Sequence, residues 1–153
     1  MVDSSGLRRR KYWDLPPAGD EGLARETTEE ESVARIEAAV AQAVDCRLMS
    51  EVPLGAFLSG GIDSSIVVAE MARLLGPGVQ TVTIGFGEAD DEYAAARLTA
   101  RHMRTDHAEF LVRPDFAPVI PEIVGRFGEP FADSSALPTW FLCREARRKV
   151  TVA

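Results

Sequence analysis

Apolar residues along this chain recur with two different spacings, and the alternation between them predicts the fold class. After Thr28 and Glu31, which match a helix capping box, apolar side chains return every three or four residues, as on one face of a helix. Those positions are Val33, Ile36, Val40, Val44 and Leu48. Farther along, short runs rich in β-branched residues alternate with further helical patterns. This alternation predicts an α/β protein.

The rest of the pattern contains four predicted strands and four further helices. The strands are a short one that ends at Leu58, then residues 79–85, 108–112 and 150–153. The helices cover residues 63–75, residues 90–102, a segment that begins at Asp115, and residues 137–149. Strands joined through helices at this spacing predict a parallel sheet with helices on both faces.

Composition separates the first 26 residues from the rest of the chain. The basic run from Arg8 to Lys11 is not followed by the apolar stretch that a secretion signal needs. Residues 16–26 are rich in Pro, Gly, Ala, Asp and Glu and have no periodicity, as in a linker. We therefore expect an arm and linker over residues 1–26 and one folded domain over residues 27–153.

Charge and cysteine content disfavour several classes of protein. The formal net charge of −7 argues against a protein that coats nucleic acid, because phosphate contacts need an excess of Lys and Arg. No run approaches the roughly 20 apolar residues of a membrane span. The two cysteines, Cys46 and Cys143, lie far apart and lack the spacing of a zinc site. We expect a soluble, cytoplasmic protein without nucleic-acid or membrane partners, and these features leave its oligomeric state open.

The segment LGAFLSGGIDSS, residues 54–65, joins the first strand of the sheet to the following helix. Ligands bind at such junctions because the carboxyl ends of parallel strands border a crevice. The pair Gly60 and Gly61 permits a tight turn and a close approach of backbone N–H groups, and serine hydroxyls and the helix start add donors. The segment predicts a cradle for phosphate or pyrophosphate, with Asp63 as a helix cap or a ligand of Mg²⁺.

Other loop motifs fit this segment less well. It is not GxGxxG and it lacks the Lys of GxxxxGK[ST], which disfavours dinucleotide and Walker-type sites. It is not GxSxG, and neither His102 nor His107 is placed to activate a serine. We expect both histidines on the surface or beside a strand. A glycine-rich turn that only caps a helix is the structural alternative.

The stretch SGGIDSS resembles the pyrophosphatase loop of ligases that split ATP into AMP and pyrophosphate, a superfamily that includes asparagine, NAD, GMP and argininosuccinate synthetases. Its surroundings resemble the synthetase domain of glutamine-hydrolysing asparagine synthetases. The stretches that carry this resemblance are VPLGAFLSGGIDSS, TVTIGF, DEYAAARLTARHMRTDH and EPFADSSALPTWFL. The similarity covers residues 27–153 and implies an adenine nucleotide alpha hydrolase-like (PP-loop) fold.

The resemblance also implies a reaction and its residues. ATP adenylates a carboxylate such as that of aspartate, pyrophosphate is released, and ammonia displaces AMP. The residues implied to hold ATP, pyrophosphate and Mg²⁺ are Leu58, Ser59, Gly60, Gly61, Asp63, Ser64, Ser65 and Ile84. Among them Asp63 is the implied catalytic residue and metal ligand, and Leu58 and Ile84 would border the adenine. The implied acceptor pocket lies near Glu129, Asp133, Ser134 and Ser135.

Structural interpretations stay open for several of these residues. Leu58 and Ile84 would serve equally as core residues, and the segment from Glu129 to Ser135 as a polar turn. Asp91 and Glu92 follow the second predicted strand, and we expect them to cap the next helix, with a metal-facing role as the alternative.

Two departures from the family pattern bear on function. Glutamine-dependent members begin with a catalytic Cys, whereas this chain starts with Met1, so we expect its ammonia to come from a glutaminase domain outside this chain. Members also carry a second motif, of the SGxGGDE type, beyond the position of Ala153. We therefore expect a truncated segment whose sheet is incomplete at the carboxyl terminus and which is inactive alone. The alternatives are a non-catalytic nucleotide-binding or interaction module and another superfamily ligase, such as NAD or GMP synthetase.

Overall fold

A computed structural model describes residues 2–3, 6–15, 28–87, 91–129 and 131–153. The chain divides into two compact units, residues 1–35 and residues 36–153. The first unit contains an antiparallel pair of two-residue strands, β1 (Val2–Asp3) and β2 (Gly6–Leu7). No pattern in the sequence signalled this pairing. The predicted linker lies mostly outside the described residues and stays a prediction.

Helix α1 (Glu29–Asp45) begins with the predicted capping box. The N–H of Glu31 donates to Thr28 Oγ1 and the N–H of Thr28 donates to Glu31 Oε2, both at 3.2 Å. This reciprocal pair satisfies backbone donors that a helix start otherwise leaves without acceptors. In the second unit, Val40 and Val44 pack into the core, whereas Ile36 is 63% exposed. The apolar face predicted for this helix is therefore buried only over its last turns.

The second unit is built on a parallel sheet, as predicted, and this sheet has three strands rather than the four expected. Its order is β3 (Gly55–Phe57), β4 (Gln80–Gly85) and β5 (Asp106–Leu111). Gly55 pairs with Gln80, and Gln80 with Asp106. The third strand begins at Asp106 rather than at Ala108, so His107 lies inside β5 and not beside it. The expectation that His107 flanks a strand is therefore wrong.

The strand predicted over residues 150–153 forms only a single parallel bridge, between Val152 and Leu54. The N–H of Gly55 donates to the carbonyl of Val152 at 2.9 Å, and the N–H of Thr151 donates to the carbonyl of Pro53 at 2.8 Å. The bridge lies on the edge of β3 away from β4. The strands that follow β3 in sequence therefore lie on one side of it, whereas the segment of Val152 lies on its other side. In doubly wound sheets, ligands bind at the switch point where the strand order reverses in this way.

Four further helices connect and cover the strands. They are α2 (Ile62–Leu75), α3 (Asp91–Met103), α4 (Ile120–Phe127) and α5 (Ala136–Ala146). Helix α4 starts at Ile120 and not at Asp115, because Asp115 Oδ1 accepts the N–H of Ala117 at 3.3 Å in a turn that precedes the helix. Pro121 occupies the first turn of α4, where its missing N–H costs no helical hydrogen bond.

The helices bury both faces of the sheet, as predicted. On one face, α1, α2 and α3 enclose a cluster that contains Ala56 and Leu58 of the first strand segment and Ala96 and Ala100 of α3. On the other face, α4 and α5 pack over Val82 and Phe110 through residues such as Phe141 and Ala146. Within the described ranges, no helix is long and apolar enough to cross a membrane.

Candidate functional site

The loop over residues 59–61 leaves the sheet at a fixed point. Leu58 is only 1% exposed, and its N–H donates to the carbonyl of Val82 at 3.0 Å. Its carbonyl accepts the hydroxyl of Thr83, a buried polar residue of β4. Both contacts hold the end of the first strand against β4. The loop therefore starts at the carboxyl end of the sheet in a defined orientation.

Gly60 is the residue that the loop backbone requires. Its φ is +79°, and a Cβ at this position would lie 2.5 Å from the N of Ala96 and 2.7 Å from the Cβ of Ala95. Gly61, in contrast, has an ordinary φ of −70°, and the nearest atom to its missing Cβ is Ser59 Oγ at 3.3 Å. The expectation that both glycines permit the turn is therefore correct only for Gly60, which packs directly on α3.

The serines of the loop bind one another. Ser59 Oγ lies 3.0 Å from Ser64 Oγ, and the N–H of Ser59 donates to Ser64 Oγ at 3.3 Å. The N–H of Gly61 donates to Ser59 Oγ at 3.3 Å, and Ser64 Oγ donates to the carbonyl of Gly61 at 3.2 Å. Ser65 points elsewhere, with its Oγ 3.4 Å from Thr99 Oγ1 on α3. Of the three serines, Ser59 and Ser64 therefore form the polar rim of the loop.

Helix α2 presents its first turn at this rim. Gly61 is its N-cap and forms no side-chain cap hydrogen bond, and first-turn N–H groups have no acceptor within their own helix. Asp63 lies in this turn, is exposed, and its carboxylate makes no hydrogen bond within the part of the chain that the structure describes. Asp63 therefore does not act as the helix cap. The free N–H groups and the positive end of the helix dipole are suited to an anion.

A cleft of roughly 190 Å³ opens beside the loop, at the carboxyl ends of β3 and β4. It brings together three predicted residues, Leu58, Ser59 and Ile84. Its other lining residues were not predicted and include Phe86 at the end of β4 and Pro138, Thr139 and Leu142 of α5. Their position depends on how α5 packs on the sheet, for which the sequence carries no local signal.

Asp63 and Ser64 line a different depression. It is an apolar groove of about 810 Å³ on the other side of β3, between α1, α2 and the segment of Val152. The structure thus divides five of the eight predicted nucleotide-binding residues between two openings on either side of β3. Leu58, Ser59 and Ile84 border the cleft, and Asp63 and Ser64 border the groove.

The segment predicted to bind the acceptor lies apart from the cleft. Asp133 Oδ1 accepts the N–H of Ser135 at 2.8 Å, which lowers the pKa of the Asp133 carboxyl. Asp133 and Ser134 line a pocket of about 370 Å³ with the stacked rings of Phe127 and Phe131, and Glu129 is exposed. The N–H of Thr139, which borders the cleft, donates to the carbonyl of Ser135 at 3.0 Å. Ser135 is therefore one helical turn away from the cleft.

The remaining sequence candidates lie away from the loop or outside the description. Asp91 and Glu92 open α3, but their side chains are outside the described part of the chain, so the capping and metal-facing roles stay untested. His102 is exposed in the last turn of α3, as expected. Among the described residues, no group of three or more His, Cys, Asp or Glu side chains could hold a metal ion.

Comparison with known proteins gives a consistent result. The family model described as asparagine synthase matches residues 35–153. Asparagine synthetase [glutamine-hydrolyzing] 1 of Bacillus subtilis is 35% identical over 130 residues, which are 84% of this chain and 20% of that protein. Putative asparagine synthetase [glutamine-hydrolyzing] 2 of Methanocaldococcus jannaschii is 33% identical over 153 residues, 99% of this chain and 29% of that protein. The chain thus spans less than a third of either relative.

A solved structure supports the fold. The NH3-dependent NAD synthetase from Campylobacter jejuni, in complex with the nitrate ion, is similar with a TM-score of 0.50. The similarity covers 78% of this chain and 54% of that one, at 14% sequence identity. At this identity the likeness concerns the fold alone, and it agrees with the predicted PP-loop α/β architecture.

Proposed function

Because this chain belongs to the asparagine synthase family, we propose that its Ser59–Ser65 loop binds ATP for the formation of an amide. In this reaction a carboxylate, that of aspartate or a related acid, is adenylated with release of pyrophosphate, and ammonia then displaces AMP. The ammonia comes from a glutaminase domain outside this chain. The chain contributes the nucleotide-binding portion of the site.

The observation that carries this proposal is the geometry of the loop. Gly60 brings the backbone against α3 at a point where any side chain would collide, and the first turn of α2 follows with N–H groups that have no helical acceptor. The Ser59 and Ser64 hydroxyls already hold this arrangement through their mutual contacts. A donor set fixed before binding loses little conformational entropy when a phosphate group arrives.

The residues fit Mg²⁺ as well as phosphate. Mg²⁺ in nucleotide sites is usually held by one or two carboxylates together with phosphate oxygens and water. Asp63 supplies such a carboxylate, exposed and without a hydrogen bond to the described part of the protein. The ion would neutralise phosphate charge in a loop that contains no lysine or arginine. Asp63 would thus act as the metal ligand and as the catalytic carboxylate.

The cleft supplies a place for the adenine. Leu58 and Ile84 border it, and Phe86 adds an aromatic ring at its edge. Apolar side chains at the ends of parallel strands form the kind of surface on which a base packs. We keep Glu129, Asp133, Ser134 and Ser135 as the proposed acceptor region, because this segment leads directly into the turn of α5 that borders the cleft.

The proposal is tested by residue-resolved NMR with two ligands. Mg-pyrophosphate and Mg-ATP should both shift the backbone amide signals of residues 59–65 more than those of distant loops. Only Mg-ATP should also shift Leu58, Ile84 and Phe86, because only ATP carries the base. If neither ligand, at millimolar concentration, perturbs the loop of the folded chain, the phosphate-binding role is wrong.

Asp63→Asn separates the metal-binding role of Asp63 from a merely structural one. Asn preserves the shape of the side chain and removes its charge, so folding should be unchanged. We expect affinity for pyrophosphate to depend on Mg²⁺ in the original protein and to become nearly independent of Mg²⁺ in the variant. The same Mg²⁺ dependence in both proteins would show that Asp63 is not the metal ligand.

A further inference from the structure

A second polar pocket lies at the opposite end of the sheet from the loop. It has a volume of about 330 Å³ and is located where α3 ends and β5 begins. Its polar lining consists of Arg97, Arg101, Arg104, Thr105, His107 and Glu109. The nucleotide site is at the carboxyl ends of the strands, so the two sites are separate. We call this second site the arginine pocket.

The lining of the arginine pocket carries three arginines and only one carboxylate among the described residues. Arg97 holds Glu109 with two hydrogen bonds, from Nε to Oε1 at 2.9 Å and from Nη2 to Oε2 at 2.6 Å. This pairing lowers the pKa of Glu109 and keeps it ionised. Arg101 and Arg104 form no ion pair with any residue in the described ranges. In a chain with a net charge of −7, two such guanidinium groups beside one pocket favour an anionic ligand.

His107 supplies an independent sign of a ligand. Its side chain is only 10% exposed, and its Nδ1 lies 2.9 Å from Thr81 Oγ1, which in turn lies 2.8 Å from Thr105 Oγ1. Its Nε2 is buried and has no hydrogen-bond partner among the described residues, with Glu109 Oε1 at 3.7 Å. Buried polar atoms almost always have partners, so an unpartnered one beside a polar pocket indicates a missing group.

The contact between His107 Nδ1 and the Thr81 hydroxyl is compatible with a ring whose hydrogen is on Nε2. Burial lowers the pKa of His107, which favours the neutral ring with a single N–H. If the Thr81 hydroxyl donates to Nδ1, the hydrogen is on Nε2, which faces the side of Glu109. Nε2 is covered from solvent and lies beside Glu109, so a contact between Nε2 and a ligand requires the Glu109 side chain to move.

Arg104 occupies a backbone position that favours glycine. Its φ is +55°, and the turn forms a Schellman motif, in which the N–H of Thr105 donates to the carbonyl of Ala100 at 3.0 Å and that of Arg104 to Arg101 at 3.3 Å. Basic residues at a helix carboxyl end also offset the helix dipole, which accounts for Arg101. That effect accounts neither for an arginine in a left-handed conformation nor for the unpartnered imidazole.

We propose that the arginine pocket binds a phosphate group, held by Arg101 and Arg104 with His107 Nε2 as a further donor. Guanidinium groups match the oxygens of phosphate with paired hydrogen bonds, and a doubly charged group balances the excess of two positive charges that three arginines and Glu109 leave. The ligand is free inorganic phosphate or a small phosphorylated metabolite, since both present the same group. This site does not depend on the proposed function of the loop.

The test is a titration of the chain with inorganic phosphate, in a buffer without other multivalent anions, followed by NMR. We expect saturable shifts of the backbone amides of residues 100–109 and of the Nε2 signal of His107. Shifts confined to residues 59–65 would overturn the proposal, because they would place phosphate at the loop alone. Mg-pyrophosphate in a parallel titration reports on the loop, so the failure of one site is distinguished from failure of the other.

Arg104→Gly is the decisive variant because it favours the native turn while removing a charge. We expect it to fold with an unchanged or higher unfolding temperature and to weaken phosphate binding roughly tenfold or more. Arg126→Gln, which changes a 75% exposed arginine on α4, should alter the dissociation constant less than about twofold. Unchanged binding by Arg104→Gly would overturn the proposal.

A phosphomonoester distinguishes the two sources of the phosphate group. Glycerol phosphate is compared with inorganic phosphate on the original chain and on Arg104→Gly. Tighter binding of the ester identifies a phosphorylated metabolite, and tighter binding of the inorganic ion identifies free phosphate. For either ligand, Arg104→Gly must lower the affinity by the same factor. A ligand that binds the original chain and Arg104→Gly equally well contradicts the site.

Discussion

The two ends of this sheet present two polar sites that are built in opposite ways. At the carboxyl end, the Ser59–Ser65 loop uses backbone N–H groups, short hydroxyls and one carboxylate, and it contains no basic residue. At the amino end, the arginine pocket uses long charged side chains around a buried imidazole. The first site depends on backbone geometry and the second on charge. Substitutions that change geometry should therefore damage the first site, and substitutions that change charge the second.

The largest effect should come from Gly60→Ala. The new Cβ would lie 2.5 Å from the N of Ala96 and would force alanine to adopt a φ of +79°. We expect the free energy of unfolding to fall by about 2–5 kcal/mol, measured by urea denaturation. Gly61→Ala is the matched control at the next position, with an expected change within about 0.5 kcal/mol. Equal losses at both positions would show that contact with α3 does not determine the loop geometry.

Thr83→Val should have the second largest effect, because it acts on the start of the same loop. It removes the hydroxyl that donates to the carbonyl of Leu58 and leaves a buried acceptor without that partner. We expect a loss of about 1–3 kcal/mol in the free energy of unfolding and altered amide signals at residues 59–61. Thr139→Val makes the same chemical change at an exposed position of the cleft and should be nearly neutral. A variant Thr83→Val as stable as Thr139→Val would contradict this role.

The smallest effect concerns the other end of the sheet and depends on pH. Burial is the main cause of the lowered pKa of His107, with Arg97 acting in the same direction and Glu109 against it. The unfolded chain, in which this pKa is about 6.5, therefore binds more protons than the folded chain over the interval between the two values. Stability should be fully present above about pH 6.5 and decrease as the pH falls toward the folded pKa.

Histidine variants identify the source of this pH dependence. His107→Gln should flatten the decrease in unfolding free energy between about pH 7.5 and 5.5. His102→Gln, which changes the exposed histidine of α3, should retain it. A full decrease in His107→Gln would assign the titration to another group.

The fold was predictable where local chemistry decides it. The capping box of Thr28 and Glu31 places the start of α1, and the β-branched run that follows the turn of Gly76 to Gly78 places β4. The start of α4 was predicted wrongly because Asp115, a good helix cap, instead binds the N–H of Ala117 in a preceding turn. An Asp that follows a proline, as Asp115 follows Pro114, is typical both of a turn and of a helix start, and sequence does not separate the two.

The sites were predictable only in part, because their composition depends on contacts between distant segments. The loop is a continuous stretch, so its position at the end of the first strand follows from sequence. Helix α3 lies more than 30 residues later in the sequence, and its contact with Gly60 makes that glycine indispensable. Helix α3 also determines the direction of Ser65 through Thr99. His107 became buried because β5 pairs in register with Thr81 of β4, a relation that no local pattern specifies.

The contact of Gly60 with Ala95 and Ala96 limits how far this loop can be transplanted. A segment identical to SGGIDSS, grafted between a strand and a helix of another α/β domain, would keep its serines and its first-turn N–H groups. It would adopt the same backbone only if the neighbouring helix also placed small residues against the glycine, since both alanines lie within 3 Å of the position where a Cβ would be. Transfer of the loop between proteins therefore requires the facing positions of α3 to be transferred with it, and a graft that exchanges the seven residues alone should fail to bind phosphate.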